Sequence, residues 1–354
     1  MDIDIMLPIT GFSHEAAIAA DADGYDTMWI GETSRDAFLM ALMAAEAAPR
    51  TRVGTAIAVA FARNPMTVAS TAYDLAAYTD GRFVLGLGSQ VKAHIERRYS
   101  MPWSHPAPRM RDFVLAMRAI WSSWETGAKL DYRGDFYSHT LMTPFFAPER
   151  CDAGPPPVYL AGVGEFMTKV AGEVADGYLW HPFTTQRYLR QVTIPALERG
   201  KRSGEEAGWR QPGIELALTG QAFVVTGRDD RELDAALKGA KDRIAFYAST
   251  PAYRGVLDLH GFGDLQPELT ALSKQGKWDE MGVLIPDEFL EAVAVIGTPE
   301  EAGRGLHERW ADVASSISLY APYEADPSIW PIVAKAARGE LRIGAERESR
   351  SSSD

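Results

Sequence analysis

The chain has 354 residues, of which 46% are hydrophobic, a formal net charge of −12 and one cysteine, Cys151. The acidic balance argues against nucleic acid or an anionic membrane as the main partner, and one cysteine excludes both an internal disulfide framework and a cysteine zinc cluster. Asp2 and Asp4 interrupt the N-terminal segment, which does not resemble a signal peptide. No run approaches the roughly 18 apolar residues of a membrane span. We expect a cytoplasmic protein that acts on a small molecule, without nucleic-acid or membrane partners.

Strand and helix patterns alternate along the chain with a period of about 30 residues, which is typical of βαβ units. The predicted strands span 2–7, 25–30, 52–61, 83–88, 158–162, 177–181, 215–225 and 316–320. The first predicted helices span 13–23, 36–48 and 64–78 and begin at Ser, Asp and Asn residues of the kind that cap helices. Eight such strands predict an α/β fold, a closed (β/α)8 TIM barrel rather than an open doubly wound sheet.

Two stretches interrupt this period. We expect one barrel domain over 1–338 with insertions near 122–157 and 246–297, followed by a charged, disordered tail over 339–354. The first insertion is rich in aromatic residues, and the second has short helical patterns around 267–275 and 286–295. Long insertions of this kind commonly shape a site or a subunit contact.

Two of the predicted strands lead directly into Gly-x-Gly turns, Gly86–Gly88 and Gly162–Gly164, and a predicted helix follows each turn. Glycine at such a junction lets the backbone approach a ligand, and the free N–H groups of a helix start favour an anion. The dinucleotide-binding fingerprint would need a further glycine where Val91 and Met167 stand. Either turn alone could be a plain βα turn, but two in one sheet predict a single cofactor held between them.

The carboxyl ends of the strands, where barrel active sites lie, carry mainly small residues and no metal-binding or serine-hydrolase motif. We therefore expect no metal and a large planar cofactor that supplies its own chemistry. Ser89 and Gln90 are candidate contacts, and Gly164 with Glu165 opens a helix that suits a phosphate. Three cations are further candidates, which would hold an anionic tail: Lys92, Arg97 and Arg98. For Arg97 and Arg98 the alternative is a solvated face of the helix.

Several segments resemble the luciferase-like monooxygenase superfamily. They are Thr51–Ile57 with Arg63–Pro65, Gly81–Gly88, and Pro157–Gly164 with Ala175–Tyr178. Segments 89–103 and 137–142 resemble an actinobacterial subgroup that uses the deazaflavin F420. The resemblance covers roughly residues 1–335.

This resemblance implies a (β/α)8 barrel, a homodimer, and coenzyme F420 or, alternatively, FMN, with the ring against the third strand. It also implies a non-proline cis peptide, which by position falls at Ala56–Ile57. Together with the helix-start argument, it gives the candidate cofactor-binding residues Ala56, Ile57, Gly88, Ser89, Gln90, Val91, Lys92, Val163, Gly164 and Glu165.

The chain departs from the sugar-phosphate dehydrogenases of this group. Glu32–Thr33 replaces their Asp-His pair, and Val91 stands where they carry a Glu. No substrate therefore transfers by analogy. By the strand-end rule we expect Glu32 and His181 at the barrel mouth as catalytic acid or base. The alternatives are a structural ion pair for Glu32 and a cofactor contact for His181.

The prediction that follows is an F420-dependent oxidoreductase that moves a hydride to or from the C5 carbon of the deazaflavin. The alternatives are an FMN-dependent monooxygenase and a non-catalytic flavin- or deazaflavin-binding barrel. Candidates for an apolar substrate pocket are the aromatic residues of 132–146 and three tryptophans: Trp29, Trp103 and Trp180.

Overall fold

A computed structural model describes residues 1–8 and 14–340 of the chain. Its strands are Asp2–Met6 (β1), Thr27–Ile30 (β2), Arg52–Thr55 (β3), Ala58–Val59 (β4), Phe83–Gly88 (β5), Tyr132–Arg133 (β6), Ser138–His139 (β7), Val158–Ala161 (β8), Gly177–Trp180 (β9), Ala217–Thr226 (β10), Ala294–Gly297 (β11) and Ser316–Tyr320 (β12). Parallel pairing joins β1–β2–β3–β5–β8–β9–β10–β12 and returns to β1, which closes the barrel. The predicted (β/α)8 barrel is confirmed.

The helices are His14–Ala22 (α1), Ala37–Ala47 (α2), Pro65–Tyr78 (α3), Lys92–Arg97 (α4), Pro106–Thr126 (α5), Glu165–Val174 (α6), Gln186–Tyr188 (α7), Ile194–Glu206 (α8), Asp230–Ala248 (α9), Arg254–Leu259 (α10), Leu265–Lys274 (α11), Trp278–Met281 (α12), Asp287–Val293 (α13), Pro299–Trp310 (α14) and Trp330–Ala337 (α15). The predicted starts of α2 and α3 are confirmed. The Asp36 carboxylate accepts from the backbone N–H groups of Phe38 and Leu39, and Asn64 accepts from Met66 N–H. Ser13 lies outside the described residues.

The predicted third strand, 52–61, is broken. β3 ends at Thr55, and the Ala56–Ile57 peptide bond that follows is cis, as the resemblance implies. The chain then forms β4 from Ala58, which pairs in parallel with β5. Thr55 Oγ1 donates to the carbonyl oxygen of Gly86, 2.7 Å away, which fixes the end of β3 against β5. The backbone at Ala56–Ile57 therefore leaves the regular strand path at the barrel mouth.

The two insertions differ in structure. In the first, β6 and β7 form a short antiparallel hairpin, and Asp112 of α5 accepts from the backbone N–H groups of Phe136 and Tyr137. In the second, the predicted helical patterns appear as α11 and α13, but the end of the second pattern belongs to β11, which pairs with β10. The predicted tail lies outside the described residues from 341 onward.

Aromatic rings laid over glycines fill the barrel interior. Trp29 covers Gly54 and Tyr159 covers Gly177, and in each case a Cβ on the glycine would overlap the ring. Glycine inside a strand therefore makes room for a large neighbour here. The Trp29 and Tyr159 rings form the floor beneath the carboxyl ends of the strands. Trp180 covers Gly220 in the same way on the outer side of the barrel wall, where it stacks on Trp310 of α14.

Asp4 anchors this floor from below. Its side chain is fully buried, and Oδ2 accepts from Trp29 Nε1 at 2.8 Å and from the Ser316 hydroxyl, whereas Oδ1 has no partner in the described part of the chain. Burial raises the pKa of Asp4 from 3.8 to about 6. Asp4 is thus a buried carboxylate with incomplete hydrogen bonding.

Asp4→Asn should remove a pH dependence of folding. Because the folded-state pKa is raised, the folded state holds its proton more tightly than the unfolded state does. The contribution of Asp4 to stability is therefore greatest below pH 3.8, falls as the pH rises, and levels off above about pH 6. The shift corresponds to about 3 kcal/mol. Urea unfolding across this range should show a wild-type free energy that falls relative to the variant, and parallel curves would contradict the assignment.

Helices α6 and α8 pack so closely at their glycines that the two backbones are in contact. A Cβ on Gly200 would overlap the carbonyl group of Lys169, and a Cβ on Gly172 would overlap that of Leu197. Glycine at these positions allows the two helix backbones to touch, which brings residues near Lys169 on α6 beside α8.

Gly200→Ala is expected to destabilise the fold by about 1–3 kcal/mol, because the helices must separate to admit one methyl group. Gly305→Ala on α14 is the matched control, since its Cβ would lie 3.4 Å from Val295 Cγ1, an ordinary contact. That change should be neutral or stabilising by up to about 1 kcal/mol through helix propensity. Urea unfolding measures both, and equal effects at the two sites would contradict the close packing.

Candidate active site

A cavity of about 750 Å³ opens at the carboxyl ends of the barrel strands. It is lined by all ten residues that sequence analysis proposed for the cofactor: Ala56, Ile57, Gly88, Ser89, Gln90, Val91, Lys92, Val163, Gly164 and Glu165. The two Gly-x-Gly turns and the Ala56–Ile57 segment therefore border one space. That these residues bind a cofactor stays a prediction.

The turn after β5 is held by its own side chains. Gln90 has a left-handed backbone (φ 60°), and its Oε1 accepts from Val91 N–H at 3.0 Å. That N–H is therefore not free for a ligand. A Cβ on Gly88 would lie 2.8 Å from Ile57 Cγ1, so glycine is needed here to admit the Ile57 side chain.

The turn after β8 has a different character. Gly164 is the N-cap of α6, has φ 80°, and provides no side chain to cap the first-turn N–H groups. The Tyr178 hydroxyl donates to Gly162 O at 2.6 Å and the Thr168 hydroxyl donates to Gly164 O at 2.9 Å, so the turn is fixed from beneath. A Cβ on Gly164 would meet nothing within 4 Å. This turn offers open space beside an uncapped helix start, which suits an anion.

His181 lies on the cavity wall directly after β9. Its ring stacks on Tyr253, with centroids 4.7 Å apart, and meets Tyr247 edge-on at 4.5 Å. Nδ1 accepts from Phe183 N–H at 3.1 Å, so in the neutral ring Nε2 carries the hydrogen. Burial lowers the pKa of His181 to about 4. At neutral pH the residue is therefore an uncharged hydrogen-bond donor.

Glu32 is not among the described residues that line the cavity. Its side chain is 6% exposed, pairs with Arg63 at 2.8 Å and accepts from Val59 N–H at 2.8 Å. Arg63 also binds Asp36 at 2.6 Å. These contacts hold β4 against the end of β2. They favour a structural ion pair as the role of Glu32 over acid–base catalysis. The catalytic role of Glu32 stays a prediction.

The three predicted tryptophans, Trp29, Trp103 and Trp180, all line the cavity. The aromatic residues of 132–146 are not among its described lining residues. Four further lining residues were not among the candidates from the sequence. They are Tyr253, from the second insertion, and three polar residues on β10 and β12: Thr219, Gln221 and Ser318. An alternating strand pattern gives the only sequence signal for the polar residues, whereas Tyr253 had none.

The predicted cations near α4 are arranged differently from one another. Lys92 lies at the cavity edge and pairs with Glu96 at 3.8 Å. Arg98 donates to the carbonyl oxygen of Thr33 and covers the Tyr99 ring. Arg97 is exposed. One of the three cations therefore fixes the turn after β2 rather than facing a ligand.

Over residues 1–8 and 14–340, no group of three or more His, Cys, Asp or Glu side chains is placed to hold a metal ion. None of the helices in that part of the chain has both the length and the apolar character that a membrane crossing requires.

The sequence profile of the luciferase-like monooxygenase family matches residues 13–315. An uncharacterized protein of Mycobacterium tuberculosis is 50% identical over 304 residues, which cover 86% of this chain and 88% of the relative. A second M. tuberculosis protein, with the provisional name coenzyme F420-dependent oxidoreductase, is 27% identical over 80% of this chain and 83% of its own length.

Among solved structures, the coenzyme F420-dependent tetrahydromethanopterin reductase of Methanopyrus kandleri superimposes with a TM-score of 0.74. The match covers 95% of this chain and 97% of the reductase at 18% identity. At this identity the likeness concerns the fold.

Proposed function

Because the chain belongs to the luciferase-like monooxygenase family, we propose that it is an F420-dependent oxidoreductase, which transfers a hydride between C5 of the deazaflavin and a small organic substrate. The observation that carries the proposal is the single mouth cavity that joins both Gly-x-Gly turns with the Ala56–Ile57 segment. The F420-linked name of one relative and the F420-dependent reductase of the same fold support the choice of cofactor.

The residues at the cavity fit such a group. Ala56, Ile57 and Gly88 would border its ring, and the uncapped start of α6 at Gly164 would take its phosphate. Val163 and Phe166 are 42% and 81% exposed at the rim. Exposed apolar side chains around a cavity are typical of a site that a ligand covers.

When bound, F420 supplies the carbon centre that donates or accepts the hydride. The protein binds and orients the two reactants and excludes water with the apolar surfaces of Trp29 and Trp103. Nε2–H of His181 donates a hydrogen bond to the substrate oxygen. A neutral donor stabilises the negative charge that develops on a carbonyl oxygen as it gains a hydride. The site therefore suits a substrate with an oxygen next to the reacting carbon.

Thermal unfolding with each cofactor tests the proposal. F420 at 100 times its dissociation constant should add about 2.7 kcal/mol to the free energy of unfolding. FMN at the same concentration should add much less, because its single phosphate ends where the F420 tail begins. An equal or larger shift with FMN would favour a flavin monooxygenase, and no shift with either would contradict a cofactor site.

A homodimer, which the resemblance implies, also stays a prediction. Light scattering after gel filtration should give twice the mass of the 354-residue chain. A monomer at micromolar concentration would contradict it.

A further inference from the structure

A second, shallower groove of about 480 Å³ lies on the outer surface beside the start of α6. Three cations line it, Lys169 from α6 with Arg199 and Arg202 from α8. The groove and the mouth cavity share Glu165 and Phe166. A ligand whose phosphate lies at the α6 start can therefore continue along this groove without leaving the protein surface.

The glycine contacts between α6 and α8 create this groove. Gly200 of α8 lies against the backbone carbonyl of Lys169 on α6. This close contact brings the Lys169 side chain beside those of Arg199 and Arg202, and all three line the groove. Side chains three residues apart on a helix share one face, which places both arginines on the same side of α8. The positive charges are therefore clustered by close helix packing.

The charges of the groove are only partly compensated. Arg199 pairs with Glu165, and Lys169 lies 3.7 Å from Glu173, which also accepts from Arg111. Arg202 is exposed and has no ion-pair partner among the described residues, although Glu206 also lines the groove. In a chain with a net charge of −12, such a cluster favours an anionic ligand.

We propose that the groove of Lys169, Arg199 and Arg202 binds the oligoglutamate tail of F420. This inference rests on the proposed function. It places the tail on the α6–α8 side of the mouth, where the groove continues from the cavity at Glu165 and Phe166, and not along α4, where Arg98 holds the turn after β2. Glu165 lies between the start of α6 and the groove, and its negative charge would repel the tail. The ion pair with Arg199 neutralises that charge.

The test compares two probes by quenching of deazaflavin fluorescence. One is F420 with a long oligoglutamate tail, and the other is the deazaflavin alcohol that lacks phosphate and tail. The double variant Lys169→Gln/Arg202→Gln should bind the tailed probe about fivefold more weakly, because it loses two partly screened charge contacts. Its affinity for the tail-less probe should equal that of the wild type. The weakening should diminish in high salt.

The matched control is Lys238→Gln/Lys274→Gln, which removes the same charge from exposed positions outside both the mouth cavity and the groove and should leave the affinity for the tailed probe nearly unchanged. A larger loss in this control than in the groove variant would overturn the proposal. Unchanged binding of the tailed probe by the groove variant, or an equal loss for both probes, would also overturn it. Failure of the wild type to bind either probe would instead refute the proposed function from which the inference starts.

Discussion

His181→Asn should lower turnover of an accepted substrate by about 10²–10³-fold, the usual effect of removing one donor to a developing negative charge. The asparagine oxygen can still accept from Phe183 N–H, as Nδ1 does at 3.1 Å, so the turn after β9 should persist. No hydrogen remains at the position of Nε2. The dissociation constant for F420 should change little, which separates a role toward substrate from a role in holding the cofactor.

His181→Gln is the companion variant, because its amide nitrogen can reach the position of Nε2 and restore part of the rate. Burial lowers the pKa of His181 to about 4, so the ring stays neutral and keeps its Nε2 hydrogen at any higher pH. The rate should therefore show no titration of this residue between pH 6 and 8. A rate step near pH 6.5 that disappears in the variant, or a loss of F420 affinity with unchanged turnover, would contradict this role.

Gly164→Val should weaken F420 binding by about 10- to 100-fold. The backbone of Gly164 (φ 80°, ψ 160°) lies in a region that only glycine populates readily, and holding valine there costs about 1–3 kcal/mol. The turn must then change conformation or the branched side chain must occupy the open space beside the α6 start. Equilibrium titration with F420 measures the effect.

Gly127→Val is the matched control, because Gly127 also has a positive φ, 70°, and nothing within 4 Å of its Cβ. It caps the end of α5 away from the mouth cavity. Both variants should lose some stability in urea, but only Gly164→Val should lose affinity. Normal F420 binding by Gly164→Val would mean that this Gly-x-Gly is a plain turn.

The order of strands and helices was predictable because strand and helix periods alternate clearly along this chain. The break at Ala56–Ile57 was not visible in the pattern, since an apolar segment reads as one strand whether or not a peptide within it is cis; only the resemblance implied it. β11 was missed for a related reason. Ala294–Gly297 follows the apolar end of α13 without a turn residue, so the two read as one helical stretch.

The strand-end rule located the mouth correctly but could not give side-chain direction. It placed Glu32 and His181 at the same end of the barrel. The Glu32 side chain, however, points toward Arg63, which follows β4 in the chain, and forms an ion pair with it. His181 lies on the cavity wall, where Tyr253 stacks on its ring and Tyr247 meets the ring edge-on. Tyr253 belongs to an insertion, and the position of an insertion over the barrel depends on tertiary packing that local sequence does not encode.

A crystal structure of the protein with F420 would show directly where the cofactor lies. We expect the deazaflavin in the mouth cavity between the two Gly-x-Gly turns, against Ala56–Ile57, with the phosphate at the start of α6 and with His181 Nε2 facing the space for a substrate oxygen. Cofactor bound elsewhere on the protein, or an empty cavity in crystals grown at saturating F420, would contradict this expectation.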